Sequence, residues 1–220
     1  LVVEASADAV TTIALIDRCL VERIEWLDAE HLEHLRSWRG VEPSTELTTW
    51  KQVTTLAKAH RVVPMGFFDG NPGEHDARLA RRVLLLFAKL GMPDLVVLVH
   101  DADDRPDRRE GFEQARNGTP IPERIVIVPC DEEEQAALAS ERQRLGFDPT
   151  LHPHELRGNA KRSAKAALAC LLGSDDRREH RCLTEPSFAH LRQRGEHTGL
   201  AAFLDEIDER VVAVIGGGSA

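Results

Sequence analysis

Three acidic residues follow an apolar run near the middle of the chain. Residues 95–99 are continuously aliphatic, and His100 and then the acids Asp101, Asp103 and Asp104 follow them. Carboxylates this close to one another repel unless they are solvated, paired with bases or bound to a cation. The stretch therefore has two readings: a solvated loop with local Asp–Arg pairs, or one part of a cation site.

Two more acids lie near the start of the chain. Glu4 ends the apolar run 1–3, and Asp8 follows four residues later, on the same side as Glu4 if a helix begins between them. The carboxyl ends of parallel strands meet at one edge of a sheet. Oxygen ligands suit hard divalent cations. The sequence thus predicts a Mg²⁺ (or Mn²⁺) site at Glu4, Asp8, Asp101 and Asp103.

A third acidic cluster follows the apolar residues 124–129. Glu132 and Glu134 could supply ligands to a second ion from the neighbouring strand end. Acids in the first turn of a helix also complement the helix dipole. Both readings fit these two residues.

Two groups of basic residues could offset the charge of a phosphate. Arg105, Arg108 and Arg109 follow the acidic loop and could clamp a phosphate, or they could form local ion pairs. Lys161 and Lys165 lie four residues apart in the most basic stretch of the chain. They could contact a nucleic-acid backbone, or they could form the solvated face of an amphipathic helix.

Two histidines close to these acids have simpler interpretations. On a strand, the side chain of His100 faces away from that of Asp101, so we expect it to pack in the interior. His75 and Asp76 could line a second acidic site with Asp69 and Glu74, but an ordinary loop explains them equally well.

The elements that must position these residues alternate between strands and helices. Apolar runs predict strands at 1–3, 61–68, 94–99 and 124–129, and Pro64 favours an edge or a bend for the second. Helical periodicity predicts helices from Ser6, over 28–38, 45–59, 75–90 and 108–117, and at the start of the acidic stretch after residue 130.

The character of the sequence changes beyond residue 146. A Pro/His/Gly-rich connection is followed by predicted helices over about 160–172, 174–181, 186–194 and 199–209, and residues 211–215 fit a last strand or a helix end. We therefore predict an α/β fold with a mainly parallel sheet over 1–145, including inserted helices near 28–60. A helical extension over 146–215 packs on it, and 216–220 form a flexible tail.

Composition limits the function classes. The formal charge of −9 and a pI near 5.6 argue against broad coating of DNA or a membrane, but not against a nuclease whose metal ions supply positive charge. The four cysteines have no zinc-site spacing, and no apolar run is long enough for a bilayer span. These features predict a cytoplasmic protein with reduced thiols.

Two motifs resemble those of the Toprim domain. The stretch "VVEASADAV" at 2–10 is similar to the first Toprim motif, and "LVVLVHDADD" at 95–104 is similar to the second, a strand that ends in D-x-D. Ala5 stands where the family usually has glycine, and the long gap between the motifs requires the inserted helices. The later segments "RIVIVP", "DEEEQAAL" and "HELRGNAKRSAKAAL" resemble stand-alone Toprim proteins of the OLD-nuclease type.

The resemblance implies a Mg²⁺-dependent nuclease that acts on phosphodiester bonds of nucleic acid. Glu4, Asp101 and Asp103 would be catalytic metal ligands, and Lys161 or Lys165 would be the catalytic lysine. It also implies an effector role in bacterial anti-phage defence with a partner ATPase, and a homo-oligomer is compatible with it.

Two other functions compete with the nuclease. A non-catalytic Toprim-like module that binds a partner protein would use the same acids for a cation or a basic surface. A phosphotransferase or phosphatase of the HAD type would use the D-x-D aspartate as nucleophile. Two observations disfavour this last reading: Arg105 stands two positions after D-x-D, where the HAD pattern has Thr or Val, and the strand is not the first.

Overall fold

A four-stranded parallel sheet forms the centre of the protein. The computed structural model describes residues 1–64, 71–101, 105, 107–130, 185–194 and 199–216. The strands are β1 (Val2–Val3), β2 (Thr48–Thr49), β3 (Val96–Asp101) and β4 (Ile125–Cys130). Their order is β2-β1-β3-β4, and all three pairings are parallel. The predicted α/β class is confirmed.

Helices connect and cover these strands. In the first part of the chain they are α1 (Ser6–Arg23), α2 (Ala29–Leu35), α3 (Trp50–Ala59), α4 (Glu74–Leu90) and α5 (Asp107–Asn117), with a 3-10 turn at Pro122–Arg124. In the last part they are α6 (Phe188–Arg194), α7 (Leu200–Glu206), a π-helical segment (Ile207–Val212) and α8 (Ala213–Gly216). The C-terminal part is thus helical, as predicted.

Two expectations about elements are wrong, and a third is decided between its alternatives. Residues 48–49 pair with β1 as strand β2, although they fall inside the predicted helix 45–59. Residues 61–64 form no strand, and the rest of the predicted strand 61–68 lies outside the described residues. Residues 211–215 are helical, which is the helix-end alternative of the two that the sequence left open. The boundary at 145 and the helices predicted between 131 and 184 also lie outside the described residues.

The two faces of the sheet bury separate apolar clusters. Val97 and Val99 point to one face, where they meet α1 and the C-terminal helices through Leu15, Leu191 and Phe203, among others. Val96 and Leu98 point to the other face, where they meet α3, α4 and α5 through Trp50, Phe87 and Phe112, among others. This alternation follows from the two-residue repeat of a strand. It requires helices on both faces.

Helices α4 and α5 approach each other at two glycines. A Cβ atom on Gly111 would lie 2.3 Å from the carbonyl oxygen of Gly73, and one on Gly73 would lie 2.1 Å from that of Asp107. Gly73 also has a φ of 70°, in the left-handed region that glycine adopts easily. Its N–H donates to Asp107 Oδ2 at 3.2 Å. The starts of α4 and α5 are therefore held in register, close to the end of β3.

Candidate functional site

Glu4 and Asp101 lie side by side at the carboxyl edge of the sheet. Glu4 follows β1, and Asp101 is the last residue of the neighbouring strand β3. Glu4 Oε2 accepts a hydrogen bond from the backbone N–H of Asp101 at 3.4 Å. The structure thus brings together the two motifs that the sequence predicted to meet. The Glu4 side chain remains 39% exposed, so it is accessible to a ligand.

The contact between these residues uses the backbone of Asp101 rather than its carboxylate. The register of β1 and β3 puts Val2 beside Leu98, so Glu4 comes level with His100. Alternation along β3 directs the Asp101 side chain toward the opposite face from that of His100. A cation shared by Glu4 and Asp101 would therefore sit beyond the strand ends, over the edge of the sheet.

His100 packs in the interior, as predicted, but it also contacts Glu4. Its Nδ1 lies 2.9 Å from Glu4 Oε2. Its ring centroid lies 5.4 Å from that of Trp50 and 6.0 Å from that of Phe112. Burial lowers the pKa of the imidazole and the Arg108 cation lowers it further, whereas Glu4 and Asp76 act in the opposite direction. The expectation of a purely packing role was therefore incomplete.

A buried carboxylate, Asp76, holds two of the three predicted phosphate-binding arginines. Asp76 is 1% exposed. Arg105 Nη2 lies 2.7 Å from Asp76 Oδ2, and Arg108 Nε lies 3.4 Å from Asp76 Oδ1. Arg108 also donates to the backbone carbonyl of Asp101. Asp76 thus fixes both guanidinium groups beside the end of β3.

The role of Asp76 was missed at the level of sequence, although a signal was present. Asp76 lies three and four residues before Leu79 and Ala80 and seven before Val83, so it belongs to the apolar stripe of α4. An acid in such a stripe is buried with the stripe, and a buried carboxylate needs a cation. The arginines of the following loop were the obvious partners.

The remaining predicted residues are placed as follows. Arg109 pairs with Glu113 at 2.9 Å on the surface of α5 and does not join Arg105 and Arg108 on Asp76. Asp8 Oδ2 accepts the N–H of Ala5 at 2.7 Å, so it caps the start of α1. The predictions at Asp103, Glu132, Glu134, Lys161 and Lys165 lie outside the described residues.

A concave surface lies at the amino ends of the strands, opposite the ends that carry Glu4 and Asp101. This cavity of about 720 Å³ is lined by Leu1, Leu95 and Arg124, which precede strands β1, β3 and β4, and by residues of α1, α2 and α8. Its location does not coincide with the acidic edge. We therefore take the strand ends, where charged groups converge, as the candidate site.

The described ranges contain no group of three or more His, Cys, Asp and Glu side chains arranged to hold a metal ion. They include no helix long and apolar enough to cross a bilayer. Comparisons of the chain with protein-family models, with curated proteins and with solved structures each find no match. The Toprim assignment therefore stays a prediction from two sequence motifs.

Proposed function

We propose that this protein binds Mg²⁺ or Mn²⁺ at the carboxyl edge of its sheet and cleaves phosphodiester bonds of nucleic acid. The observation that carries the proposal is the juxtaposition of Glu4 and Asp101, with Glu4 Oε2 at 3.4 Å from the Asp101 amide nitrogen. Ligand sites of parallel α/β sheets form at this edge. The motif residue Asp103 comes two positions later and would complete the carboxylate set.

The chemistry of the donors fits a hard divalent cation. Glu4 and Asp101 offer carboxylate oxygens and the edge is accessible to solvent, as such an ion with retained water ligands requires. A bound ion of this kind polarises a phosphate and lowers the pKa of a bound water. A cation also suits a chain with a formal charge of −9, which would otherwise repel a polyanion.

The chain's own residues would position the substrate around the ion. Glu4 is oriented by a hydrogen bond from the Asp101 amide and by a contact of 2.9 Å with His100 Nδ1. The Arg105 side chain is 40% exposed and is held by Asp76 and Asp107, so its guanidinium can contact a phosphate without moving far. Lys161 or Lys165 would supply further positive charge, as the Toprim resemblance suggests. The same resemblance supports a partner ATPase and a role in anti-phage defence.

The test combines metal binding with cleavage. Mg²⁺ and Mn²⁺ are titrated calorimetrically into wild type, Glu4→Gln and Asp101→Asn, and each protein is assayed on plasmid, single-stranded DNA and RNA. Glu30→Gln on the exposed side of α2 is the matched control, because it also removes one carboxylate. We expect Glu4→Gln and Asp101→Asn to lose both metal binding and cleavage, and Glu30→Gln to retain them. Folded site variants that cut as fast as wild type would falsify the proposal.

One observation favours a second function, a non-catalytic module that binds a partner protein. Arg105, Arg108 and Arg109 each lie within ion-pair distance of a carboxylate of this chain, so their charge is already offset. Binding to a phosphate backbone requires Lys or Arg side chains that can contact the phosphates in place of their present partners. Metal binding without cleavage of any of the three substrates, together with retention of a partner on the immobilised protein, is the expected result for this second function.

A further inference from the structure

We infer that His100 is a positioning residue: it holds one carboxylate oxygen of Glu4 so that the other faces the metal ion. The inference rests on the proposed metal site and assigns a role to a residue outside the predicted ligand set. Its basis is the contact of 2.9 Å between His100 Nδ1 and Glu4 Oε2. Within the part of the chain that the structure describes, no hydrogen-bond partner is seen for Glu4 Oε1.

The direction of the hydrogen bond follows from the groups around His100 Nδ1. This nitrogen is also 3.0 Å from Arg108 Nη1 and 3.2 Å from the carbonyl oxygen of Asp101. With a lone pair on Nδ1, the nitrogen and Glu4 Oε2 would be two acceptors in contact. With a proton on Nδ1, His100 can donate to Glu4 Oε2 and to the Asp101 carbonyl, provided that the N–H of Arg108 Nη1 is directed at that carbonyl, to which it already donates, and not at Nδ1. We therefore place the proton on Nδ1.

The His100 ring is fixed by its neighbours. Its side chain is 11% exposed and is packed against Trp50 and Phe112, whose own rings stack at 5.2 Å. Trp50 Nε1 donates to the carbonyl oxygen of Val99 at 2.5 Å, which ties the indole to the residue before His100. A donor held this firmly restricts the carboxylate it contacts, and restricting a ligand before metal binding lowers the entropy lost on binding.

A donor to a metal-ligating carboxylate is expected to matter measurably. Partners that orient ligands typically account for about 10–100-fold in metal affinity. Glu4 follows a strand of only two residues, β1, so its own backbone constrains the side chain little. We expect the loss of the His100 donor to lie within that range.

The experiment measures Mn²⁺ affinity by electron paramagnetic resonance on the full chain, independently of cleavage. His100→Phe keeps a ring between Trp50 and Phe112 but removes the donor, and His100→Leu is a second donor-free variant in case the first does not fold. His100→Asn places an amide N–H where Nδ1 was. We expect His100→Phe and His100→Leu to bind Mn²⁺ at least about tenfold more weakly than wild type, and His100→Asn to recover most of the affinity.

The outcomes separate this inference from the proposed function. If Glu4→Gln and Asp101→Asn weaken Mn²⁺ binding but the folded donor-free variants bind as wild type does, the site stands and the role of His100 is refuted. Equal weakening in His100→Asn and His100→Phe would also overturn it, because the ring rather than the donor would then be needed. If Glu4→Gln and Asp101→Asn bind as wild type, the metal site itself is wrong.

Discussion

Two regions of the molecule each bury one carboxylate among arginines. At the end of β3, Asp76 contacts Arg105 and Arg108. Between α5 and α7, Glu206 contacts Arg116 and Arg210, each at 2.8 Å, and Arg109 lies farther away, at 3.9 Å. The second group lies between helices, whereas Arg108 of the first also touches His100 and the Asp101 carbonyl. The same ionic arrangement therefore joins helices in one place and supports the candidate site in the other.

The largest expected loss of stability follows from removing Glu206, the carboxylate between the helices. Glu206→Ala leaves Arg116, which is 8% exposed, without the carboxylate whose two oxygens both accept from its Nη1, and Arg210 also loses its contact. Removing one member of a buried ion pair costs about 3–5 kcal/mol, and we expect the upper half of that range here. Urea unfolding measures the loss, and Glu22→Ala, in an exposed Arg18 pair, is the control that should cost at most about 1 kcal/mol. Folded Glu206→Ala should bind Mn²⁺ as wild type does.

The corresponding change at the strand end should cost less stability but disturb the site. Asp76→Ala removes the carboxylate that faces the buried Arg108, while Arg105 keeps Asp107 at 3.3 Å, so we expect a loss of about 3 kcal/mol. Arg108 would then be less firmly held against the Asp101 carbonyl, and Mn²⁺ affinity should fall. Unchanged affinity in folded Asp76→Ala protein would show that both groups are merely structural, and the contrast between the two regions would disappear.

The close approach of α4 and α5 at Gly73 and Gly111 should matter for stability and for metal binding, whereas the far end of α5 should not. Gly111→Ala forces a Cβ against the Gly73 carbonyl, and overpacking of this kind costs about 1–3 kcal/mol. Gly118→Ala is a matched control after the same helix, because its Cβ would lie 3.5 Å or more from its neighbours. Denaturant midpoints compare the two variants. We expect a lower midpoint and weaker Mn²⁺ binding for Gly111→Ala alone; equal midpoints would argue against the close approach.

The smallest effect is the change in stability just above pH 9, on the side of the sheet where Glu206 lies. Cys19 donates to Asp208 Oδ1 at 3.3 Å, on the same side of the sheet as Glu206, and burial, together with Asp208, raises the thiol pKa from 9.0 to about 12. The thiol ionises at a lower pH in the unfolded chain than in the folded protein. The stability that the neutral buried thiol contributes is therefore fully present below pH 9 and is lost as the pH rises toward 12. Cys19→Ser should lack this alkaline loss in Tm. Parallel pH profiles for the two proteins would contradict the assignment.

The sequence predicted the strands and helices that have strong periodicity. α4, α5, β3 and β4 appear within a few residues of their expected limits, because long apolar patterns determine them. β2 was missed because two threonines at the start of a helix carry no alternation. Their pairing with β1 depends on tertiary contacts that local sequence does not show.

The candidate site was predictable in its location but not in its contacts. Glu4 and Asp101 follow apolar runs, and this alone brings them to one edge of a parallel sheet. The contact of His100 with Glu4 depends on the register between β1 and β3. The local charge pattern around residue 105 did not reveal that Arg105 and Arg108 share Asp76, since this requires the close approach of α4 and α5.

The brevity and position of β1 have a consequence for the order of folding. Val2 pairs with Leu98, so adding β1 to the sheet closes a very long loop, whereas β3, β4, α4 and α5 contact one another within residues 74–130. Contacts of short sequence separation form first because less chain entropy is lost in making them. We therefore expect β1 to dock late, so that Glu4 reaches His100 in one of the last folding steps and ion affinity appears only after most of the core has formed.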